Sequence, residues 1–593
     1  MARTFSVILA CLSFIAETAL GFFGVVGSGQ RGSDDVDTLF REIPLAETVY
    51  VVPRAALTRE QHVMLVFLQG ITAKTAAAIY IDNGGVGSEY IAQYQARYVD
   101  TGRSNVTFDT SVTDPWVLVE RFRDSFGGKF VTFDMGENDP GINLASTIAG
   151  VESWLGVPAG LREQALEHGL TEARDVRGLP GTFTEQERAI FLEYKDRLNK
   201  RLLSHFTPNA WAGRDLGIAN GTLFFFTRDY INAPSTFLEG RGLRHEVYRW
   251  ADPAALLLGF WASGDEIVFI DDMSRYGKTM VPSHSRSNGT VTMALEGSAS
   301  LTQPWRSNEA LPKAKAVEGK HTIAFYVTDG DNITVVDGSG GGVCAPYNTM
   351  LGPRCQSGDT FKMTYSIAPL LGRMAPFVME YFYDNNDGPY GLGEYDSYIG
   401  CTSGMSIINA SSFPRQTLES FAKMTADTME RTDIHVITPI DQLIHNPMFL
   451  LRHREYLAPF AQYDSIKGGV WQIDPPKYKS GRGLVVWAND KPWVAVRTAL
   501  WAPVDEAGHD SVSAEWLDGI AASLNQRSGD PHTIDGYSVI AIQPWSIHYS
   551  DIQYLVSKLD MDRVQIVFVE ELIDMVTENV PHRFAFPKLE LDN

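Results

Sequence analysis

The sequence predicts an α/β protein: small N-terminal α/β subdomains followed by a C-terminal (β/α)8-like barrel of the TIM type. Three observations lead to this class. The chain has 593 residues, more than one hydrophobic core accommodates. Short β-branched and aromatic runs alternate with helix-length stretches from Thr48 onward. From about residue 320 that alternation becomes regular, as a barrel requires, with a doubly wound sheet as the competing topology.

The first element is not part of the fold. Met1 to Thr4 carries one positive charge, and an apolar run from Phe5 to Val26 follows, broken mainly by Glu17. Ala19, Gly21, Gly27 and Ser28 supply small residues for cleavage. Residues 1–28 therefore read as a secretory signal peptide, and the mature chain as secreted or extracellular. An uncleaved signal anchor is the alternative, and Glu17 near the middle of the run counts against it. No other stretch is long and apolar enough to span a bilayer, so no membrane partner is expected after signal removal.

Residues 29–240 are expected to form small α/β subdomains. Thr48 to Pro53 reads as a strand, 59–69 as a helix leading to Gly70, and Ala78 to Ile81 as the next strand. Trp116 to Val119, Phe130 to Phe133 and Asn143 to Ile148 continue the alternation. Thr184 to Glu187 reads as a capping box that opens a helix to about Leu203. Leu223 to Phe226 reads as a strand. Residues 241–318 are expected to hold a third α/β subdomain and a linker, with Leu256 to Trp261 strand-like and a further strand through Val281. The barrel is expected over 319–593. Its strands are predicted at 322–328, 376–383, 434–438, 468–473, 483–487, 493–501, 537–543 and 564–569. Helices are predicted at 415–431, 512–526, 549–559 and 570–577.

The formal net charge of −22 repels polyanions, so nucleic acid is not an expected partner. Cys11 leaves with the signal. Of Cys344, Cys355 and Cys401, the first two form the most economical disulfide, across a Gly/Pro-rich loop. The absence of a Cys-x-x-Cys pair speaks against a zinc site. Asn-x-Ser/Thr sequons start at Asn105, Asn220, Asn288, Asn332 and Asn409.

Chemistry is expected where strands end, because sites in parallel sheets and barrels are built at that edge. The apolar run Thr322 to Thr328 breaks sharply at Asp329-Gly330-Asp331-Asn332. Glu380 is expected in a strand, with Asp384 to Asp387 just beyond. Asn489-Asp490 follows a third strand, and Gln543-Pro544-Trp545-Ser546-Ile547-His548 a fourth. Acids from separate strand ends suit glycoside hydrolysis, which needs two carboxyls about 5–10 Å apart across the bond. Each motif also has an ordinary structural explanation. Asp-Gly starts Asx turns, Glu380 could be a buried paired acid, Trp545 a core residue, and His548 a helix cap. The run Gly338 to Gly342 lacks the Lys-Ser/Thr ending of a phosphate loop, and no Gly-x-Ser-x-Gly elbow is present.

The order of motifs resembles the GxGYxYP family, assigned to glycoside hydrolysis in secreted bacterial sugar processing. The stretches that carry the resemblance are Gln61 to Tyr80, Asn143 to Gly150, Tyr276-Gly277 to Asn288, and Thr328-Asp-Gly-Asp-Asn332. Tyr365 to Pro369, Ala375 to Tyr381 and Gln543-Pro-Trp-Ser546 follow in order. The naming motif departs here. It reads Gly391-Leu-Gly393-Glu394-Tyr395-Asp-Ser-Tyr398-Ile399-Gly400, with residues inserted and no Pro. Gln543 stands where the family pattern leads one to expect His. The resemblance implies small N-terminal α/β subdomains and a C-terminal barrel.

The expectation is thus a secreted glycoside hydrolase acting on a carbohydrate substrate without a cofactor or metal. Asp329 or Asp331 is the candidate for one catalytic carboxyl, and Glu380 or Glu394 for the other. Asn332 would orient the substrate or the acid. Tyr395, Tyr398 and Trp545 would stack on sugar, with His548 beside them. Two rivals remain open: a metal-assisted deacetylase-like hydrolase using Asp329, Asp331 and a His such as His548, and a non-catalytic glycan-binding surface protein.

Overall fold

Strand β1 (Leu45–Pro53) pairs in parallel with β2 (Ala77–Asp82) and β3 (Thr107–Asp109). The chain is seen as a computed structural model that describes residues 35–84, 86–208, 210, 213–227, 234–259, 266–282, 288–298, 301–307, 311–330, 350, 353–354, 357–384, 393–401, 403–439, 447–471, 482–504 and 511–582. The expected signal peptide, Asp331, Asn332, Cys344 and Cys355 lie outside these residues. A second parallel sheet orders β5 (Leu155–Pro158), β4 (Lys129–Phe133) and β6 (Thr171–Asp175). A third joins β7 (Leu202–His205) and β8 (Phe224–Phe225) to β9 (Leu256–Gly259) and β10 (Thr279–Pro282), all parallel. The division expected at 240/241 therefore falls within one sheet.

Close backbone approach joins these units. The helix Arg59–Thr72 carries Gly70, where an added Cβ would come 2.6 Å from the Cβ of Ile218. Next to it, Gln69 donates to Asn288 Oδ1 (2.8 Å), and Asn288 exchanges hydrogen bonds with the backbone of Ile81 (2.6 and 2.9 Å). Two stretches of the family resemblance, around Gly70 and Asn288, thus meet at a structural seam. The helix after Gly181 is capped by Thr182 and Glu185, two residues earlier than expected, and ends at Tyr194. Leu203, expected in that helix, lies in β7.

The C-terminal half forms a ten-stranded sheet among the described residues. Its members are β11 (His321–Val327), β12 (Met363–Ile367), β13 (Asp396–Gly400), β14 (Val436–Ile437), β15 (Gly468–Trp471), β16 (Val485–Ala488), β17 (Lys491–Ala495), β18 (Thr498–Leu500), β19 (Tyr537–Ile542) and β20 (Val564–Ile566). The order is β16-β17-β15-β14-β13-β12-β11-β19-β18, with β20 also on β11. The protein is thus a mixed α/β fold with parallel sheets. Among the described residues the paired strands form no closed circuit, the order ending at β16 and β18. Two local features differ from a regular (β/α)8 pattern. The β16–β17 hairpin is antiparallel, and β20 pairs with the first half of β11, whose second half pairs with β12.

Three expectations for this half change. Residues 376–383 form a helix, Pro376–Asp384, not a strand. Strands β12 and β13, which the sequence reading did not mark, take that place. Asn489 and Asp490 do not end a strand at the site edge. They form the two-residue turn of the β16–β17 hairpin, both with positive φ (48° and 60°), as such turns demand.

One face of this sheet buries Ala324, Tyr326, Ile399, Val436, Val470, Val494, Val496, Val539 and Ala541 in a single cluster, together with Val569, Leu572 and Ile573 of the helix Val569–Asn579. That helix also closes the N-terminal edge by charge. Glu571 meets Lys362 just before β12 (2.7 Å), and Glu570 meets Lys467 just before β15 (2.7 Å). Glu570 also pairs with Arg306.

Burial sorts the sequons. Asn220, Asn288 and Asn409 are buried and hydrogen-bonded, whereas Asn105 is exposed. Expression in a glycosylating host is expected to modify Asn105 and to leave Asn220, Asn288 and Asn409 bare. Glycopeptide mass spectrometry reads this directly.

Candidate functional site

The C-terminal edge of this sheet is where its inner face changes character. Side chains two residues apart share a face of a strand. Following the apolar inner cluster by two positions leads from Tyr326 to Thr328, from Ile399 to Cys401, from Val436 to Thr438 and from Ala541 to Gln543. On β12, Thr364 Oγ1 accepts the N–H of Val569 in that cluster, and Ser366 is two residues on. Trp501 packs against the same cluster beyond β18. The apolar lining thus gives way to hydroxyl, thiol and amide groups at one edge.

Parallel register brings these residues to similar heights. Val327 pairs with Tyr365 and with Ile542, and Leu500 pairs with Ile542. Ile367 pairs with Gly400, and Gly400 with Ile437. Thr328, Gln543 and Trp501 each follow the last paired residue of their strand.

Asp329 sits at this edge, half-buried, with φ of 66°. Left-handed backbone is unusual outside glycine, though Asp tolerates it better than most, and it recurs at functional sites. The turn is pinned from both sides. Thr328 donates its N–H (2.9 Å) and Oγ1 (3.1 Å) to the carbonyl of Ile542, and the Gly330 N–H donates to Ser366 Oγ (3.0 Å).

On the facing strand the Gln543 N–H bonds the carbonyl of Leu500 (3.0 Å), and its own carbonyl accepts the N–H of Ile547 (3.1 Å). Gln543 is 6% exposed, and its Oε1 is buried with no hydrogen-bond partner among the described residues. Trp545 is 48% exposed and offers a free ring face.

The other expected site residues fall elsewhere. Glu380 lies on the helix Pro376–Asp384 and is buried. Its Oε2 accepts from Tyr98 Oη and from the Ser298 N–H (both 2.6 Å), and Arg97 stands 3.7 Å from Oε1. Burial and the hydrogen bond to this carboxylate push the Tyr98 phenol well above its usual range. Glu380 therefore clamps the 86–99 region to the C-terminal half.

Glu394 is exposed, just before the first residue of β13. Asp329 is level with Ile367 and Gly400. Glu394 stands two residues before β13, whose four steps from Asp396 to Gly400 alone span ~13 Å at about 3.3 Å per residue. That exceeds the widest separation that flanks a glycosidic bond. Tyr395 shares this far edge, where its carbonyl accepts the N–H of Met363 (2.9 Å). Tyr398 is buried on the opposite face of β13 from Ile399. Its ring stacks on Tyr383 at 5.7 Å, so no sugar reaches it in this arrangement.

His548 is exposed and opens the helix Tyr549–Ser557, its N–H donating to Asp551 (2.8 Å). Among the described residues no three His, Cys, Asp or Glu side chains are grouped to hold a metal ion. Of the expected site residues within the described part, Asp329 and Trp545 each follow the C-terminal end of a strand, β11 and β19. The reading from sequence missed Ser366, Cys401, Thr438 and Trp501, and marked Gln543 at a strand end without giving it a role. For Ser366 and Cys401 the signal is the inner-face period of two, usable only once β12 and β13 are recognised as strands.

Comparison with known proteins agrees with this architecture. A family model described as "GxGYxYP putative glycoside hydrolase C-terminal domain" matches residues 319–577, and one for the family's first N-terminal domain matches 48–124. A solved structure, described as that of "a putative hydrolase from Bacteroides thetaiotaomicron VPI-5482", has a similar fold. It is 22% identical, covers 93% of this chain and 98% of its own, and superposes with a TM-score of 0.74. No curated protein matches the chain.

Proposed function

The chain belongs to the GxGYxYP family, and from that premise we propose that it is a secreted glycoside hydrolase whose site lies at the C-terminal edge of the β11–β19 sheet. The observation that carries this reading is the change of the inner face from apolar residues to Thr328, Ser366, Cys401, Thr438 and Gln543, with Asp329 on the rim. Chemistry at the C-terminal edge and stabilising charge at the N-terminal edge is the division of labour seen in barrel enzymes.

In this reading residues 319–593 are the catalytic unit, and the signal peptide covers 1–28. Only Val496 and Arg497 separate β17 from β18. The Val496 N–H bonds the carbonyl of Trp471 on β15 (3.2 Å), and the Arg497 N–H bonds that of Val539 on β19 (3.0 Å). Residues 491–500 then act as one strand between β15 and β19 and close a barrel whose mouth is the site.

Asp329 is one carboxyl of the pair, and Asp331, which lies outside the described residues, is the candidate for the second. Glu380 is occupied by Tyr98 and Ser298, and Glu394 is at the far edge, so neither is needed. One carboxyl protonates the leaving oxygen while the other activates water or attacks the anomeric carbon. Asn332 orients the substrate, and Trp545 stacks on a sugar ring.

The test is release of new reducing ends from neutral polysaccharides by the purified mature chain. Asp329→Asn is expected to lower turnover by about 10²–10⁴-fold with little change in thermal stability. Turnover equal to the wild type removes Asp329 from the chemistry. Glycan binding without any bond cleavage would instead favour the glycan-binding protein, a reading supported by the ties that hold Glu380.

A further inference from the structure

We infer that Gln543 is a specificity-determining residue, whose amide oxygen accepts a hydrogen bond from a sugar hydroxyl in the mouth of the C-terminal sheet. This rests on that mouth being the glycan site. Three features of the residue point the same way. It stands at the end of β19, on the inner face by its spacing from Val539 and Ala541, level with Thr328 and Trp501. Its backbone is fixed on both sides, by Leu500 and by Ile547, so the side chain emerges from a rigid position. Its Oε1 is buried without a donor among the described residues.

A buried acceptor left unpaired costs about 1–3 kcal/mol. What it needs is a donor. A carboxylate or phosphate brings acceptors alone and would meet Oε1 with repulsion. A sugar hydroxyl brings a proton to Oε1. The neighbouring inner-face residues Thr328, Ser366, Cys401, Thr438 and Trp501 carry no positive charge that would attract an anion. The geometry therefore selects a neutral sugar, with a free hydroxyl at the position facing Gln543, over its uronic acid counterpart. Trp501, packed beside this position, supplies an apolar ring face to the same sugar.

The discriminating experiment compares the wild type with Gln543→Leu and Gln543→Glu. The probes are 4-nitrophenyl α- and β-glycosides of glucose, galactose, mannose, xylose and glucuronic acid. Binding is read by calorimetry, turnover by nitrophenol release, and Tm by scanning calorimetry. At least one neutral glycoside is expected to bind, and no glucuronide more tightly than its glucoside. Gln543→Leu is expected to weaken binding about 10-fold, the usual scale of one hydrogen bond. Its Tm is expected at or above the wild-type value, because the unpaired acceptor is gone. Gln543→Glu is expected to weaken binding at least as much.

Unchanged binding in Gln543→Leu, a glucuronide preferred over the glucoside, or no neutral glycoside bound would each overturn the inference. So would a Tm lowered in step with binding, since that marks a structural amide. The two readings fail separately. Hydrolysis untouched by Gln543→Leu leaves the hydrolase and removes this residue. Binding weakened by Gln543→Leu with no cleavage by any variant keeps this residue and removes the hydrolase.

Discussion

Arg214→Met is expected to destabilise the N-terminal half by about 3–5 kcal/mol, the scale for stripping one partner from a buried charged network. Arg214 is fully buried and spends its donors inside the protein. Nε bonds the carbonyl of Ala210 (2.7 Å), Nη2 that of Thr207 (3.1 Å), and Nη1 the Asn143 Oδ1 (2.8 Å). Asn143 in turn donates to buried Glu187 (2.8 Å), whose carboxylate also accepts the Phe226 N–H (3.1 Å). An amide thus stands between the two charges. Burial pushes the Glu187 carboxyl up and the Arg214 guanidinium down, so each is costly without the other nearby.

Met fills the space but leaves the Ala210 carbonyl and Asn143 Oδ1 without the guanidinium donors, while the Thr207 carbonyl keeps the Ala210 N–H. Hydrogen exchange should then show lost protection over β7 and β8 while β11 and β19 keep theirs. Glu187→Gln added to Arg214→Met should change little further at neutral pH, because burial already holds the Glu187 carboxyl up at about 8 and loss of the cation raises it more. Wild-type protection in Arg214→Met would show that the network adds nothing to stability.

Lys362→Met is expected to cost about 3 kcal/mol, read as a lowered urea midpoint. The Lys362 ammonium reaches both oxygens of Glu571 (2.7 and 2.9 Å), whose side chain is 1% exposed. Glu571 keeps two backbone donors, from Ala314 and Phe568, so its penalty is smaller than that of a bare charge. The contact joins the helix Val569–Asn579 to the N-terminal edge of β12. Its loss should loosen that helix before the mouth on the opposite edge. Glycoside binding at the mouth should therefore fall less than stability does, and an equal fall in both would show that the two edges are coupled.

Much of the architecture could be read from residue order. The run Thr322 to Thr328 is a continuous apolar stretch, and a strand buried on both faces admits little else. The break at Asp329-Gly330 is legible because Asp and Gly tolerate the left-handed turn observed there. Helix 415–431 is legible from its apolar period.

Residues 376–383 were misread because Phe377, Val378, Met379, Tyr381, Phe382 and Tyr383 are apolar around the whole helix. Burial on every side hides the 3.6 period that separates a helix from a strand. β13 was hidden for a different reason. Asp396 and Ser397 are polar yet buried, because Arg354 pairs with Asp396 and Thr364 Oγ1 with Ser397 Oγ. Partners that distant in the chain cannot be seen in a local window.

By itself the sequence determined the family, the α/β class, most strands, and Asp329 as the acid at a strand break. These follow from local conformational preference and from motif order. The tertiary structure decided which acids can act together. Glu380 and Glu394 have the right chemistry, but one is bonded to Tyr98 across a seam of the fold, and the other stands at the far edge of its sheet. It also assembled Thr328, Ser366, Cys401, Thr438 and Gln543 from five separate strand ends. Parallel register sets which residues share a height and a face, and register depends on pairing between strands far apart in the chain.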